Sequence, residues 1–388
     1  MGFKFCLITC ATSALLLLLS HFGFTQSTGL KGWLEKRSAK KEARIAAGEP
    51  FLSPLVGPGY TPETGLLIAG GFLYTFKTNS QDSLIQRSSL PITAFLSTKG
   101  NVGFSAKLAS FWWQDRIRFN LVAKYSDADD DYFGVGFATA DNIPQSDTTS
   151  RYHLKTLIFN PHFLVRLLPG LYGGILLNIN QTEVTEVNPV MAEDPAYLQY
   201  GPDNFNSGLG VSLGYDNRDL TVNAWKGWYA RFTATFFGEY LQSDNNYEVY
   251  EMDVRTYHQI QRPANVIAVK LYGRFSYGEV PYEDMTLLGG GGALRGYIRG
   301  KYRDKSGIYF ITEWRHMFLN PEGEPGKHGI AAWLGSGSVG PIIEGMNEWV
   351  PNLGIGYRWE VQPRMNLRID LGIGRESSGL YFNFTEAF

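Results

Sequence analysis

The chain has only two cysteines in 388 residues, and both, Cys6 and Cys10, stand in its first ten. Beyond them a disulfide framework, a thiolate metal site and a cysteine nucleophile are excluded. Charge imbalance is equally absent. Thirty-five Lys and Arg face 37 Asp and Glu, a formal net charge of -2, so nothing argues for nucleic acid as a partner. The six histidines are scattered, with no H-E-x-x-H pattern, and no G-x-S-x-G elbow occurs. After the leader, no run approaches the ~18 consecutive apolar residues of a membrane-spanning helix.

Two glycine-rich stretches fail as phosphate cradles. Residues 335–340 (GSGSVG) lie inside a strand pattern with no helix to follow, and 296–301 misses the Walker spacing. Asp127, Asp129, Asp130 and Asp131 lack the terminal Glu of a calcium loop and read as a solvated periplasmic turn. No metal, cofactor or catalytic residue is expected, and the chain is not read as an enzyme.

What is present begins with an export signal over residues 1–26. Lys4 gives the positive end, 15–20 (LLLLLS) the apolar centre, and Thr25, Gln26 and Ser27 the small polar exit. Cys10 precedes the apolar run instead of ending it, which argues against a lipid-anchored N-terminus. Residues 27–64 then read as a short periplasmic arm. Its 31–47 part is rich in Lys, Ala and Glu and favours helix, until Pro50, Pro54, Pro58 and Pro62 break regular structure. The arm is too small to bury a core of its own.

From Gly65 to Phe388 the pattern is long period-two alternation. Met365, Leu367, Ile369, Leu371 and Ile373 share one face, and Asn366, Arg368, Asp370, Gly372 and Gly374 the other. Trp228, Ala230, Phe232, Ala234 and Phe236 oppose Tyr229, Arg231, Thr233 and Thr235 in the same way. Strands of soluble sandwiches are usually about 5–6 residues, whereas these segments run ten or more. Ten-residue alternating segments between turns mark a transmembrane barrel, apolar outward and polar inward. Sixteen such segments can be counted between 65–78 and 379–388, with 131–140 diluted by Gly134 and Gly136. The short turns at 98–101, 169–170, 261–265 and 362–364 all fall on one side, taken as periplasmic. The longer connections at 186–206, 280–306 and 341–351 fall on the other. The fold class is all-β, an antiparallel barrel of the outer membrane surrounded by its lipids.

Between the eleventh and twelfth segments stands Leu287-Leu288-Gly289-Gly290-Gly291-Gly292-Ala293-Leu294-Arg295-Gly296-Tyr297. It resembles the [VL]RG[FY] loop of the BamA/TamA-type outer-membrane assembly superfamily, the bacterial surface-antigen barrels. Gly214-Tyr215-Asp216-Asn217-Arg218-Asp219 with Lys226-Gly227, Asp131-Tyr132-Phe133-Gly134-Val135-Gly136 and Arg368-Ile369-Asp370-Leu371-Gly372-Ile373-Gly374 resemble further family segments. The closing Gly379–Phe388 stretch, whose alternating aromatics end on Phe388, resembles the C-terminal signal by which such barrels are handed to their insertion machinery. The resemblance spans about residues 51 to 388. It implies that the loop of Leu294, Arg295, Gly296 and Tyr297 folds into the lumen and that Arg295 meets an acid on the wall. Alternation puts Glu313 and Asp370 on the lumen face, and a guanidinium in a polar lumen needs such a carboxylate.

The sequence departs from the family pattern twice. Trp333-Leu334-Gly335-Ser336-Gly337 carries Gly335 where many relatives have an acid, leaving the partner of Arg295 open between Glu313 and Asp370. Periplasmic POTRA modules are also not expected in so short an arm. The resemblance implies a non-enzymatic barrel in outer-membrane protein or lipid assembly, with other assembly components or client barrels as partners. The alternative is a passive diffusion pore. A lateral seam is expected between the first segment, weakened by Gly65, Gly70 and Gly71, and the last, ending at Phe388.

Overall fold

Residues 44, 48–61, 65–82, 85–375 and 377–388 are described by a computed structural model. The chain divides into two compact units, Met1–Phe51 and Leu52–Phe388. The expected signal and most of the expected arm lie outside the described residues. In the first unit Arg44 Nε pairs with Glu49 at 2.9 Å.

The second unit follows from the alternation. Its strands are β1 (Phe51–Thr61), β2 (Gly65–Phe76), β3 (Ser88–Ser97), β4 (Val102–Trp112), β5 (Ile117–Asp131), β6 (Arg151–Leu168), β7 (Leu171–Glu186) and β8 (Asp203–Asp216). There follow β9 (Gly227–Phe237), β10 (Tyr247–Gln259) and β11 (Asn265–Gly278), then a small hairpin of β12 (Thr286–Leu288) and β13 (Tyr302–Asp304). The last five are β14 (Ser306–Leu319), β15 (Pro325–Gly340), β16 (Val350–Gln362), β17 (Met365–Ile373) and β18 (Ser378–Phe384). Sixteen of them form one sheet in the order β1 to β11, then β14 to β18. Sequential antiparallel pairing is what short turns permit. β1 and β18 end the order, and they meet. A Cβ placed on Gly57 of β1 would lie 3.1 Å from Cε1 of Phe382 in β18.

The two faces have the expected characters. Leu353, Ile355, Tyr357, Trp359 and Val361 of β16 are exposed on the outer face. Asn352 and Arg358, alternating with them, are buried inside. An apolar exterior around a polar lumen is the opposite of a soluble core and suits a bilayer. The lumen is nevertheless filled, because Leu288, Leu294, Tyr297 and Tyr302 of the β11–β14 connection pack there with Phe133, Trp333 and Phe388.

Two segments differ from the sequence reading, and the differences cancel in the count. Residues 131–140 do not form a wall strand of their own, since Asp131 ends β5 and the rest leaves the wall. Adjacent Tyr132 and Phe133 are both fully buried, which no strand with one face to lipid allows, and Gly134 and Gly136 take φ of 77° and 83°. The chain instead turns inward and forms a short helix, Phe137–Asn142. Conversely, 51–61, read as part of the arm, is the first strand. Pro54 and Pro58 are two pleats apart, so their missing N–H groups lie on one edge, which an edge strand tolerates.

Losing a strand between 98–101 and 169–170 also moves the 98–101 turn to the opposite end. It joins the long 132–150, 187–202 and 279–305 connections, while 169–170, 260–264 and 363–364 remain at the short-turn end. The run from Asp127 to Asp131 belongs to β5, not to a turn.

Candidate functional site

The β12–β13 hairpin carries its tip into the lumen and lays it against β14 to β18. Two glycines make this approach possible. Gly296 has φ 118°, and a Cβ there would stand 2.6 Å from the amide nitrogen of Ile373. A Cβ on Gly372 would stand 2.3 Å from the carbonyl oxygen of Arg295. Loop and wall therefore meet backbone to backbone, a contact only glycine permits.

That contact delivers Arg295, which is wholly buried, to both candidate acids. Its Nη1 donates to Asp370 Oδ2 at 2.7 Å, and its Nη2 donates to Glu313 Oε2. Its guanidinium lies 3.5 Å from the Trp333 ring centroid. Gly335, which offers no carboxylate, sits two residues along the same lumen face. Here an aromatic face takes up the cation instead, a contact that gains strength when desolvated. Trp333 Nε1 is held by Asn352 Oδ1 at 3.0 Å, and Asn352 Nδ2 donates to the Arg295 carbonyl.

The rest of the motif is anchored as well. Tyr297 OH donates to Pro351 O at 2.6 Å and accepts from the Arg375 amide at 2.7 Å. The Gly296 amide donates to Tyr381 OH at 3.0 Å, and Ser377 Oγ donates to Gly296 O at 2.6 Å. Leu294 is wholly buried.

Around Arg295 the wall supplies three further guanidiniums and one further acid. Arg315 Nε donates to Glu313 at 2.7 Å. Arg358 donates to Asp370 at 2.6 Å and to Glu386 at 2.9 Å, and Arg368 also donates to Asp370. Arg358 and Arg368 face each other in the β16–β17 register. Like charges directly opposite repel, and the shared Asp370 offsets this. Four guanidiniums thus surround three carboxylates. Removing an acid from such a buried, cation-rich cluster costs about 3–5 kcal/mol, because it strands guanidinium charge out of water.

Of the sequence-derived site, Leu294, Arg295, Gly296, Tyr297, Glu313 and Asp370 come together. Gly65, Gly70 and Gly71 do not mark a seam, because they belong to β2, the second strand. Phe388 does not mark one either. β18 ends at Phe384, and Thr385 takes φ 67°. This shifts the side-chain phase, so Glu386 and Phe388 turn inward, where Arg315 Nη2 donates to Phe388 O at 2.9 Å. The meeting strands are β1 and β18. Arg315 and Arg368 could have been found by stepping two residues from Glu313 and Asp370. Glu386 could not, since unbroken alternation puts it outside.

On its outer side the hairpin is roofed by the 132–150 connection. Lys301 Nζ donates to Ala140 O at 2.6 Å and Ile143 O at 3.0 Å, and Tyr302 OH donates to Asp141 at 2.8 Å. In the preceding turn (Tyr282–Asp284), burial pushes the Glu283 carboxyl up to about 7. A cavity of about 590 Å³ remains beside β2 to β7, lined by Lys124, Thr156, Thr182, Arg274, Arg303 and Tyr381 among others.

A sixteen-stranded sheet with a lipid-facing apolar exterior and a loop clamped in its lumen defines a transmembrane β-barrel of the outer membrane. The family profile described as the Omp85 superfamily domain matches residues 88–324, and the chain belongs to that superfamily. Among solved structures it is similar to BamA from Haemophilus ducreyi lacking POTRA domains 1–3. That match has TM-score 0.56 and 14% identity, over 86% of this chain and 69% of that one. It is also similar to CdiB from Acinetobacter baumannii, with TM-score 0.54 and 14% identity, over 87% of this chain and 59% of that one. At such identities the likeness is one of fold. No curated protein sequence matches.

Proposed function

We propose that this barrel acts non-enzymatically in the assembly or translocation of outer-membrane proteins or lipids, by opening laterally between β1 and β18. The observation that carries the reading is the burial of Arg295 between Glu313 and Asp370. A buried ion cluster braces β14 to β18 on the side of the wall next to this seam. Pro54 and Pro58 remove two donors from one edge of β1, and an open strand edge can template a client strand. Membrane lipids, client barrels and other assembly components are the partners this mechanism needs.

The test is a disulfide across the seam, Gly57→Cys with Phe382→Cys, in cells that depend on this protein. Oxidation should deplete newly assembled outer-membrane proteins, and reduction should restore them. Full function with the seam locked would remove lateral opening. Copurification with insertion components from native membranes would support the assembly role. A passive pore is the second reading, favoured by the 590 Å³ cavity. Its signature would be steady single-channel conductance from the unmodified barrel.

A further inference from the structure

The segment 214–219 (GYDNRD), with Lys226-Gly227, has no part in the clamped loop. It builds the β8–β9 turn at the short-turn end. Asp219 organises this turn, its Oδ1 accepting from the Trp225 and Lys226 amides at 2.9 and 3.3 Å. Asp216 and Arg218 fasten the base, where Arg218 Nε donates to Asp216 Oδ1 at 2.8 Å.

The turn reaches across the barrel mouth. Arg364, in the β16–β17 turn, donates from Nη2 to Asp219 Oδ2 at 2.8 Å and to Asn223 O at 2.5 Å. Its guanidinium lies 3.9 Å from the Trp225 ring centroid. Four strands of the sheet order separate β9 from β16, so the two turns are roughly 24 Å apart along the wall at ~4.8 Å per strand. Only a path over the lumen joins them directly. Beneath it Ala224 is 2% exposed, packed in the cluster that holds Tyr257, Val266 and Phe388.

We propose that the 217–226 turn is a gate over the short-turn mouth of the lumen and that Arg364 is its clasp. The clasp is suited to opening. Unlike the buried Arg295 cluster, the Arg364–Asp219 pair is partly exposed, with side-chain exposures of 21% and 31%. Such a pair contributes modestly. It also sits on the hairpin that carries Arg358, Arg368 and Asp370, so movement of β16–β17 would release the gate and loosen the loop together.

The experiment reads access to the lumen in the full-length protein. Val266→Cys, under the turn, is labelled by a small water-soluble maleimide with and without Arg364→Gln or Asp219→Asn. The second variant keeps the Oδ1 acceptor that shapes the turn. A second reporter, Leu288→Cys, lies in the lumen hairpin, which enters from the opposite, long-connection end. Both clasp variants should label Val266→Cys about tenfold faster, the change a 1.4 kcal/mol weakening produces. Leu288→Cys should be unaffected, and Arg364→Lys should recover part of the protection. Unchanged labelling of Val266→Cys in folded variants would overturn the gate. Equal acceleration at both reporters would overturn it too, since the pair would then be holding the whole barrel.

Discussion

Gly372 faces the carbonyl of Arg295 so closely that a methyl group on it would lie 2.3 Å from that oxygen. The contact joins the loop to β17 without any side chain between them, and it fixes how deep Arg295 enters the wall. The charge cluster depends on that depth.

Gly372→Ala should therefore undock the loop while leaving the wall strands paired. Protease cleavage within 289–301 should appear in the folded, heat-modifiable barrel, and conductance should rise. A variant that keeps its loop protected would show that the backbone contact is dispensable.

Charge counting ranks two substitutions in the cluster. Removing Arg295 leaves three guanidiniums facing three carboxylates, whereas removing Glu313 leaves four facing two. Glu313→Gln should thus lower wall stability by about 3–5 kcal/mol, and Arg295→Met by clearly less. Urea unfolding followed by gel mobility measures both. The reverse order would mean that the loop, not the balance of charge, stabilises the wall.

Docking of the hairpin should depend on pH through Glu283. Burial raises its carboxyl from 4.5 to about 7, so the folded state favours the protonated form. That contribution is complete below about 4.5 and is lost as pH rises through 7. Amide protection factors across 279–305, that is exchange corrected for its intrinsic base-catalysed rate, should be highest in acid and fall between pH 5 and 8. Glu283→Gln should flatten the profile, and an unaltered profile in that variant would assign the dependence elsewhere.

The wall strands were legible wherever one face meets lipid and the other the lumen, because period-two alternation then records both surroundings. Met365–Ile373 and Gly227–Phe237 are such cases. Alternation fails where a segment meets the same surroundings on both sides. Tyr132 and Phe133, at the start of the roof, are buried together. It also misleads at β1, where the prolines that argue against a central strand are acceptable on an edge.

The sequence by itself determined the barrel class, the lumen phase of Glu313 and Asp370, and the loop that brings Arg295 to them. These rest on local periodicity and on one motif. The tertiary structure alone decided that Arg295 is shared by both acids, that Trp333 lies under it, and that Glu386 turns inward after Thr385. It also decided which strands meet at the seam and that Arg364 reaches Asp219 across the mouth. Each of those depends on where the curled sheet brings distant strands together, which one strand's pattern does not encode.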